Sequence, residues 1–338
     1  MKIAYIIDPG TCLSGRSNGI RSQALAWKNG LEQEGHVVDL ISSWEHYDWA
    51  SYDVVHLFGS SDIWYLAMVK QLGKYTENLV WSPICDEIAS PKVQKIKTAL
   101  GSEKLHIFSL PYIRKEAYKY FKRIFVRSEY EKNYLREAYH VPADKICVIP
   151  LSLSYKNSYV YGGERKRQCL HISSIYQSRK NVIRLIKAAK KYSFDLILAG
   201  NKGSNLEYEP IRRAIDDATN IKVLGFISEE EKIRLYQESK VFALPSIKEG
   251  VGIVALDAAH FGCDIVITKI GGPKEYYKGM AQIVNPYSVD SIGVGVLKAL
   301  CQTSQPQLKE YVDKNFMEDK TLNRLIKCYV SVIKNKVV

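Results

Sequence analysis

The densest set of chemically useful residues in this sequence is PSIKEGVGIVALD, residues 245–257. Pro245 stops an apolar, β-branched run, and a loop with Glu249, Gly250 and Gly252 leads into a stretch that reads as a helix from Val251 to Phe261. A helix N-terminus presents unpaired N–H groups and a positive partial charge, so it attracts phosphates. Glycines let the backbone come close to a ligand. Glu249 and Asp257 stand eight residues apart, up to ~12 Å along a helix. Carboxylates accept several hydroxyl hydrogen bonds, so this pair can grip two polyhydroxylated ends of one ligand. A surface glutamate and a solvated helix aspartate is the alternative.

Three further stretches could do chemistry. Arg179–Lys180 stands where a strand turns into a helix, and two cations there can neutralise a diphosphate or simply form a solvated basic loop. DPGTCLSGRSNG, residues 8–19, places Gly10, Gly15 and Gly19 between the first strand and the first helix. Its spacing does not fit G-x-G-x-x-G, leaving a loop that closes over a ligand or an ordinary long connection. Residues 111–127, PYIRKEAYKYFKRIFVR, interleave Lys and Arg with Tyr112, Tyr118, Tyr120 and Phe121. That pattern suits a helix lying on an anionic membrane or a core helix with its cations in water. Among the histidines, His56 ends a strand on the side where a cleft would open. His106, His140 and His260 read as structural or surface residues.

The elements that must position these residues repeat an α/β alternation. Strands are predicted at Lys2–Ile7, Val37–Ile41, Val54–Phe58, Leu79–Trp81, Ile124–Val126 and Ile146–Ile149, with helices at Ile20–Glu34, Tyr112–Phe121 and Tyr130–Ala138. After YKNSYVYGGERKR the alternation restarts. Strands fall at Cys169–Ile172, Asp195–Ala199, Val223–Leu224, Val241–Leu244 and Ile265–Thr268, with helices at Val182–Lys190 and Glu229–Glu238 and a terminal helix at Thr321–Lys334. Strands separated by helices imply parallel βαβ units. The 338 residues exceed what one core of roughly 250–300 residues supports. The expected organisation is a domain over 1–154, a linker over 155–167, a second domain over 168–315, and a C-terminal helix over 316–338 packing back on the first. Two such doubly wound halves would face a central cleft with the carboxyl ends of their strands.

Composition narrows the class. The formal net charge is +12, which points to an anionic partner. Residues 1–150 carry 19 basic and 17 acidic side chains and the remainder 29 and 19, so the surplus lies in the second half. No nucleic-acid motif accompanies it. The apolar run of MKIAYIIDPG ends too soon for a signal segment, and no run reaches the ~20 residues of a membrane span. The seven cysteines are odd in number and lack C-x-x-C, as expected of reduced thiols in a cytoplasmic protein. D-x-D, H-E-x-x-H and the P-loop pattern are absent, so no metal is expected.

The run from Ile221 to Glu275 resembles the C-terminal domain of the retaining family 4 glycosyltransferases (glycosyl transferase group 1), which have the GT-B fold. The matching features are Gly225–Phe226, Tyr236 with Ser239, Pro245–Ser246, Glu249–Gly252, and Gly271–Gly272 with Glu275. The first half is similar more loosely, through EQEGHVVDL, DVVHLFG, FVRSEYEKNYL and VIPLSLS. This resemblance implies transfer of a sugar from a nucleotide-diphosphate donor to a glycan or lipid-linked acceptor, with retention of configuration. No cofactor or metal is implied. The setting would be surface polysaccharide or glycolipid synthesis, in the cytoplasm or peripherally on the cytoplasmic membrane face. It further implies that Glu249 contacts donor sugar hydroxyls and Asp257 the ribose. Arg179 and Lys180 would hold the diphosphate. Gly15, Gly19 and the backbone of Gly250, Val251, Gly252 and Ile253 would border the donor. Asp86, Asn18 and Arg16 are candidate sugar or acceptor contacts.

The sequence departs from the family pattern in three places. Asp257 replaces a glutamate, Ser174 stands where many members have arginine, and SPICDE, with Cys85, stands where many have a histidine. The competing expectations are a GT-B epimerase or phosphorylase, a non-catalytic GT-B subunit, and, for the +12 charge, a nucleic-acid binder.

Overall fold

The structure, a computed structural model, describes residues 1–7, 19–42, 44–59, 63–84, 89–155, 162–303 and 306–334. It contains two compact units, Met1–Leu151 with Glu318–Val338, and Ser152–Met317.

In the first unit β1 (Lys2–Ile7), β2 (Val37–Leu40), β3 (Val54–Phe58), β4 (Leu79–Ser82), β5 (Arg123–Val126) and β6 (Ile146–Val148) form one sheet in the order β2-β1-β3-β4-β5-β6. All its pairings are parallel. Every residue of β3 and β4 is buried, because helices cover both faces of a parallel sheet, and apart from His56 and Ser82 these strands are apolar. On one face, helix Gly19–Gln33 brings Ala24, Trp27 and Leu31 against Leu322, Leu325, Tyr329 and Val332 of the terminal helix Glu318–Lys334. His56 is fully buried. The Ser82 hydroxyl lies 2.9 Å from its Nε2 and the Tyr329 hydroxyl 2.6 Å from its Nδ1. Burial holds its pKa well below the usual imidazole range. It therefore links β3 and β4 to the terminal helix and presents nothing to a ligand.

Residues 111–127 do not form one amphipathic helix. Helix Leu110–Ala117 passes through a single 3-10 turn, Tyr118–Tyr120, into β5. Ile113, Ala117, Tyr118, Phe121 and Phe125 are all buried, so most of the aromatic residues of this run are core, while Tyr112 is half-buried and Tyr120 exposed.

The second unit holds β7 (Lys166–Ile172), β8 (Asp195–Ala199), β9 (Ile221–Gly225), β10 (Ser239–Leu244), β11 (Asp264–Thr268) and β12 (Gln282–Val284), in the order β12-β11-β10-β7-β8-β9. These pairings are parallel too. The first unit's opening segment ends at Leu151, where the sequence suggests 154, and part of the stretch read as a linker, 155–167, is built into this second unit. Leu153 N–H donates to the Phe316 carbonyl at 2.8 Å and Tyr155 packs edge-on against Phe261, so residues 152–155 are part of this unit. At the other end Arg165 donates to the carbonyls of Tyr236, Ser239 and Phe261, and β7 starts at Lys166 rather than Cys169.

Candidate functional site

Strand order reverses between β7 and β10 of the second unit, since β8 lies on one side of that pair and β11 on the other. Ligands of such sheets bind outside the carboxyl ends of the strands at this switch point. The sequence places Ser173–Lys180 after β7 and Pro245–Gly252 after β10, and the fold brings these two segments side by side. Ile247 N–H donates to the Arg179 carbonyl at 2.8 Å. Asn181 takes a left-handed conformation (φ 62°) at the end of the turn Ser178–Lys180. Its buried amide donates to the carbonyls of Pro245 (2.9 Å) and Pro286 (2.7 Å). The turn is therefore fixed by one side chain whose donors are both used.

The result is a close ion pair. Lys180 Nζ lies 2.8 Å from Glu249 Oε2, with only 12% and 11% of the two side chains exposed. The Ser246 hydroxyl donates to the same Oε2 at 3.0 Å. Glu249 is thus neither a surface glutamate nor a lone buried charge. Beneath the pair lies His171, fully buried, whose Nδ1 is 2.7 Å from the Ala243 carbonyl and whose Nε2 is 2.7 Å from Ser173 Oγ. A carbonyl only accepts, so Nδ1 carries the proton and the Ser173 hydroxyl donates to Nε2. Burial, aided by the Lys180 charge, pushes the His171 pKa down to about 4, so the ring is neutral at physiological pH.

Backbone geometry frames the pair. Gly252 has φ 77° and caps helix Ile253–His260 with no side-chain hydrogen bond. Glu249 and Gly271 form an isolated parallel bridge. Gly271 has φ 99°, and a Cβ there would lie 2.0 Å from the Glu249 carbonyl oxygen, so only glycine permits this approach. The helix starts at Ile253, two residues later than its sequence pattern predicts, because Gly250–Gly252 form the turn. Val251 is buried, while Gly250 and Ile253 are half-buried at the mouth of that turn.

The other predicted site residues separate. Arg179 is exposed and donates through Nε to Gln177 at 3.1 Å. Ser174 is half-buried and its carbonyl accepts the Gln177 N–H. Asp257 is 1% exposed, not solvated, and its Oδ1 accepts the Ser154 N–H at 2.9 Å. Burial pushes its pKa up to about 6, against the lowering effect of the Ser154 hydrogen bonds. Near it the hydroxyls of Tyr236 and Tyr277 are buried with no hydrogen-bond partner among the described residues. In each case burial, then the Asp257 charge, raises the phenol pKa. Gly19 opens helix Gly19–Gln33, and among the described residues none would lie within 4 Å of a Cβ there. Gly15, Arg16, Asn18, Cys85 and Asp86 lie outside the described residues.

Comparison with known proteins agrees with this architecture. Residues 163–315, within the second unit, match the family "Glycosyl transferases group 1". The chain is 24% identical over 201 residues to the O-antigen chain mannosyltransferase B of Escherichia coli, covering 53% of this chain and 51% of that protein. The chain therefore spans about half the length of that relative. Its fold is that of GT-B glycosyltransferase structures. A glycosyltransferase from Rickettsia africae superposes with a TM-score of 0.74 at 16% identity, over 99% of both chains. The Anabaena protein HepE in complex with UDP-glucose superposes at 0.68 with 14% identity, over 98% of this chain and 100% of that one.

Proposed function

We propose that this protein is a retaining glycosyltransferase. It would move a sugar from a nucleotide-diphosphate donor to a glycan or lipid-linked acceptor in surface polysaccharide or glycolipid synthesis. The observation that carries this reading is the Lys180–Glu249 pair, held 2.8 Å apart at the strand switch point beside a glycine turn and a helix N-terminus. The O-antigen mannosyltransferase and the UDP-glucose-bound neighbour support the substrate class.

In this reading the donor diphosphate meets the N–H groups at Gly250–Ile253, the Lys180 ammonium and the exposed Arg179 guanidinium. The leaving diphosphate gains negative charge as the glycosidic bond breaks. These groups stabilise that charge more in the transition state than in the ground state, which is what accelerates the step. Glu249 keeps one oxygen on Lys180 and Ser246 and offers the other to sugar hydroxyls. Ion pairing to Glu249 also fixes Lys180 before donor arrives, so little reorganisation is left for the reaction. The donor phosphate, turning basic as it leaves, takes the acceptor proton on the same face of the sugar. The sugar–diphosphate bond breaks, the sugar–acceptor bond forms, and configuration is retained. A setting in the cytoplasm or on its membrane face belongs to the same proposal; separately, no helix among the described residues is long and apolar enough to cross a membrane.

The test is nucleoside diphosphate release from UDP-, GDP-, ADP- and dTDP-sugars with and without glycan and lipid-linked acceptors, with the product anomer read by NMR. Lys180→Ala should lose roughly 10²–10³ in kcat, the scale of one oxyanion donor. Glu249→Gln, which keeps the shape around Lys180, should lose transfer while the protein stays folded. Donor binding without acceptor-dependent release across the panel would replace the enzyme with a non-catalytic subunit. Release without glycosyl transfer would favour an epimerase or phosphorylase.

A further inference from the structure

Helix Pro91–Ala99 of the first unit is packed with its polar side inward. Its buried residues are Gln94 and Thr98, and the Gln94 amide donates to the Tyr139 hydroxyl at 2.8 Å. Val93 and Ile96 on this helix, and its capping residue Leu100, face water instead. They follow i, i+3, i+7 spacing, so they form one stripe about 60° wide at about 100° per residue. Lys92 and Lys97 lie about 40° beyond its two edges on the same wheel, and both are exposed. The chain then turns back through the Ser102–Ile107 bridge and exposes three more large apolar residues, Leu105, Ile107 and Leu110. Ile96, Leu100 and Leu105 are 64%, 66% and 71% exposed.

Single exposed apolar residues need no explanation, but six within eighteen residues, on a helix that buries glutamine and threonine, do. Charge selects the partner. Residues 91–110 hold four lysines and one acid, Glu103, and that acid is bound to Lys70 at 2.5 Å. Lysine is depleted from protein–protein interfaces. Lysines flanking an apolar stripe are what an anionic bilayer selects, since their stems lie along the hydrocarbon boundary while the ammonium groups reach the headgroups.

We propose that Val93, Ile96, Leu100, Leu105, Ile107 and Leu110, with their flanking lysines, dock the protein on an anionic lipid surface. This centres the membrane contact on residues 91–110 rather than on 111–127, where Tyr118, Phe121 and Phe125 are core. The docking is independent of turnover, so its failure would leave the transferase reading standing.

The test is flotation of the full chain with vesicles of phosphatidylcholine alone and of phosphatidylcholine with phosphatidylglycerol. Wild type should float with the anionic vesicles and not with the neutral ones. Ile96→Glu with Leu100→Glu should weaken partition on the order of tenfold or more, with melting temperature and nucleotide-sugar binding unchanged because both side chains are in water. Lys92→Glu with Lys97→Glu should weaken it as well, and high salt should mimic that effect. Equal flotation of the apolar variant, or no flotation of wild type, would overturn the proposal. So would a wild-type dimer in sedimentation velocity that is lost in the apolar variant without any vesicle binding, which would give the face to a second copy.

Discussion

Asp257→Asn should make this protein more stable and, in the transferase reading, a poorer binder of donor. The carboxyl is fully buried and its pKa is raised from 3.8 to about 6, burial outweighing the Ser154 hydrogen bonds. At about 1.4 kcal/mol per unit, that shift corresponds to about 3 kcal/mol. The sign follows from proton counting. Between pH 3.8 and 6 the unfolded chain has released the Asp257 proton and the folded chain still holds it. Stability from this group is therefore fully present below about 3.8 and is lost as pH rises through about 6. Above that, the folded protein carries a buried carboxylate that it would be more stable without. Asparagine does not titrate, its Oδ1 can still accept the Ser154 N–H, and the Ser154 hydroxyl can turn to accept from its amide.

The variant should thus gain up to about 3 kcal/mol at pH 7.5, roughly half of that at pH 5, and nothing near pH 3.8. Calorimetry is the assay, because the two units need not melt together. For a unit of this size the transition of Ser152–Met317 should rise by several degrees, up to roughly 10 °C, at pH 7.5. Donor affinity should fall roughly tenfold, the worth of one hydrogen bond to a charged acceptor. A lower transition at pH 7.5, or an equal rise at pH 5 and pH 7.5, would refute the reasoning.

Three further outcomes test other parts of the fold. Gly271→Ala places a Cβ against the Glu249 carbonyl at a backbone φ of 99°, so it should cost roughly 1–3 kcal/mol and shift Glu249, lowering donor turnover at least tenfold. Tyr329→Phe removes the hydroxyl that meets both His56 and Tyr5. It should destabilise the first unit by roughly 1–3 kcal/mol in denaturant unfolding, with nucleotide-sugar affinity unchanged. Cys147 is held at about pKa 7 chiefly by the thiol of Cys328, which donates to it, with Arg123 and Lys132 adding to the effect. Iodoacetamide labelling read by mass spectrometry should show a midpoint near pH 7 at Cys147, moved up by Cys328→Ser, while the buried Cys169 and Cys263 stay unlabelled.

Strands were the most legible elements of this sequence. Buried parallel strands are short apolar runs with polar flanks, and Lys2–Ile7, Val54–Phe58 and Asp195–Ala199 match the structure residue for residue. Two helices escaped for other reasons. Pro91–Ala99 buries Gln94 and Thr98 and turns its Val93–Ile96–Leu100 spacing to water, while Asn205–Ile215, whose Tyr208, Ile211 and Ile215 face the core, carries Pro210 in its interior. The capping box of Ser204 with Glu207 was the available signal for the second. No expected element covers helices Ile63–Leu72, Val289–Cys301 and Pro306–Phe316, or strand β12.

The two candidate carboxylates show where local sequence stops informing a site. An unbroken helix would set Glu249 and Asp257 up to ~12 Å apart, but the helix starts at Ile253 and Gly252 breaks the path with a left-handed residue. The first carboxylate is therefore placed by a turn and the second by a helix, and they do different work. Glu249 ends at the β7–β10 switch point because Asn181 ties the turn after β7 to Pro245 and Gly271 lets the backbone close on it. Those partners lie 64 residues from one another at Asn181 and Pro245, and pairings at that separation exist only once the sheet order is set. Asp257 points into the body of the unit, toward Ser154 and the unpartnered hydroxyls of Tyr236 and Tyr277. In the transferase reading, a contact with the donor is what sets an acid there at a cost in stability that asparagine would avoid.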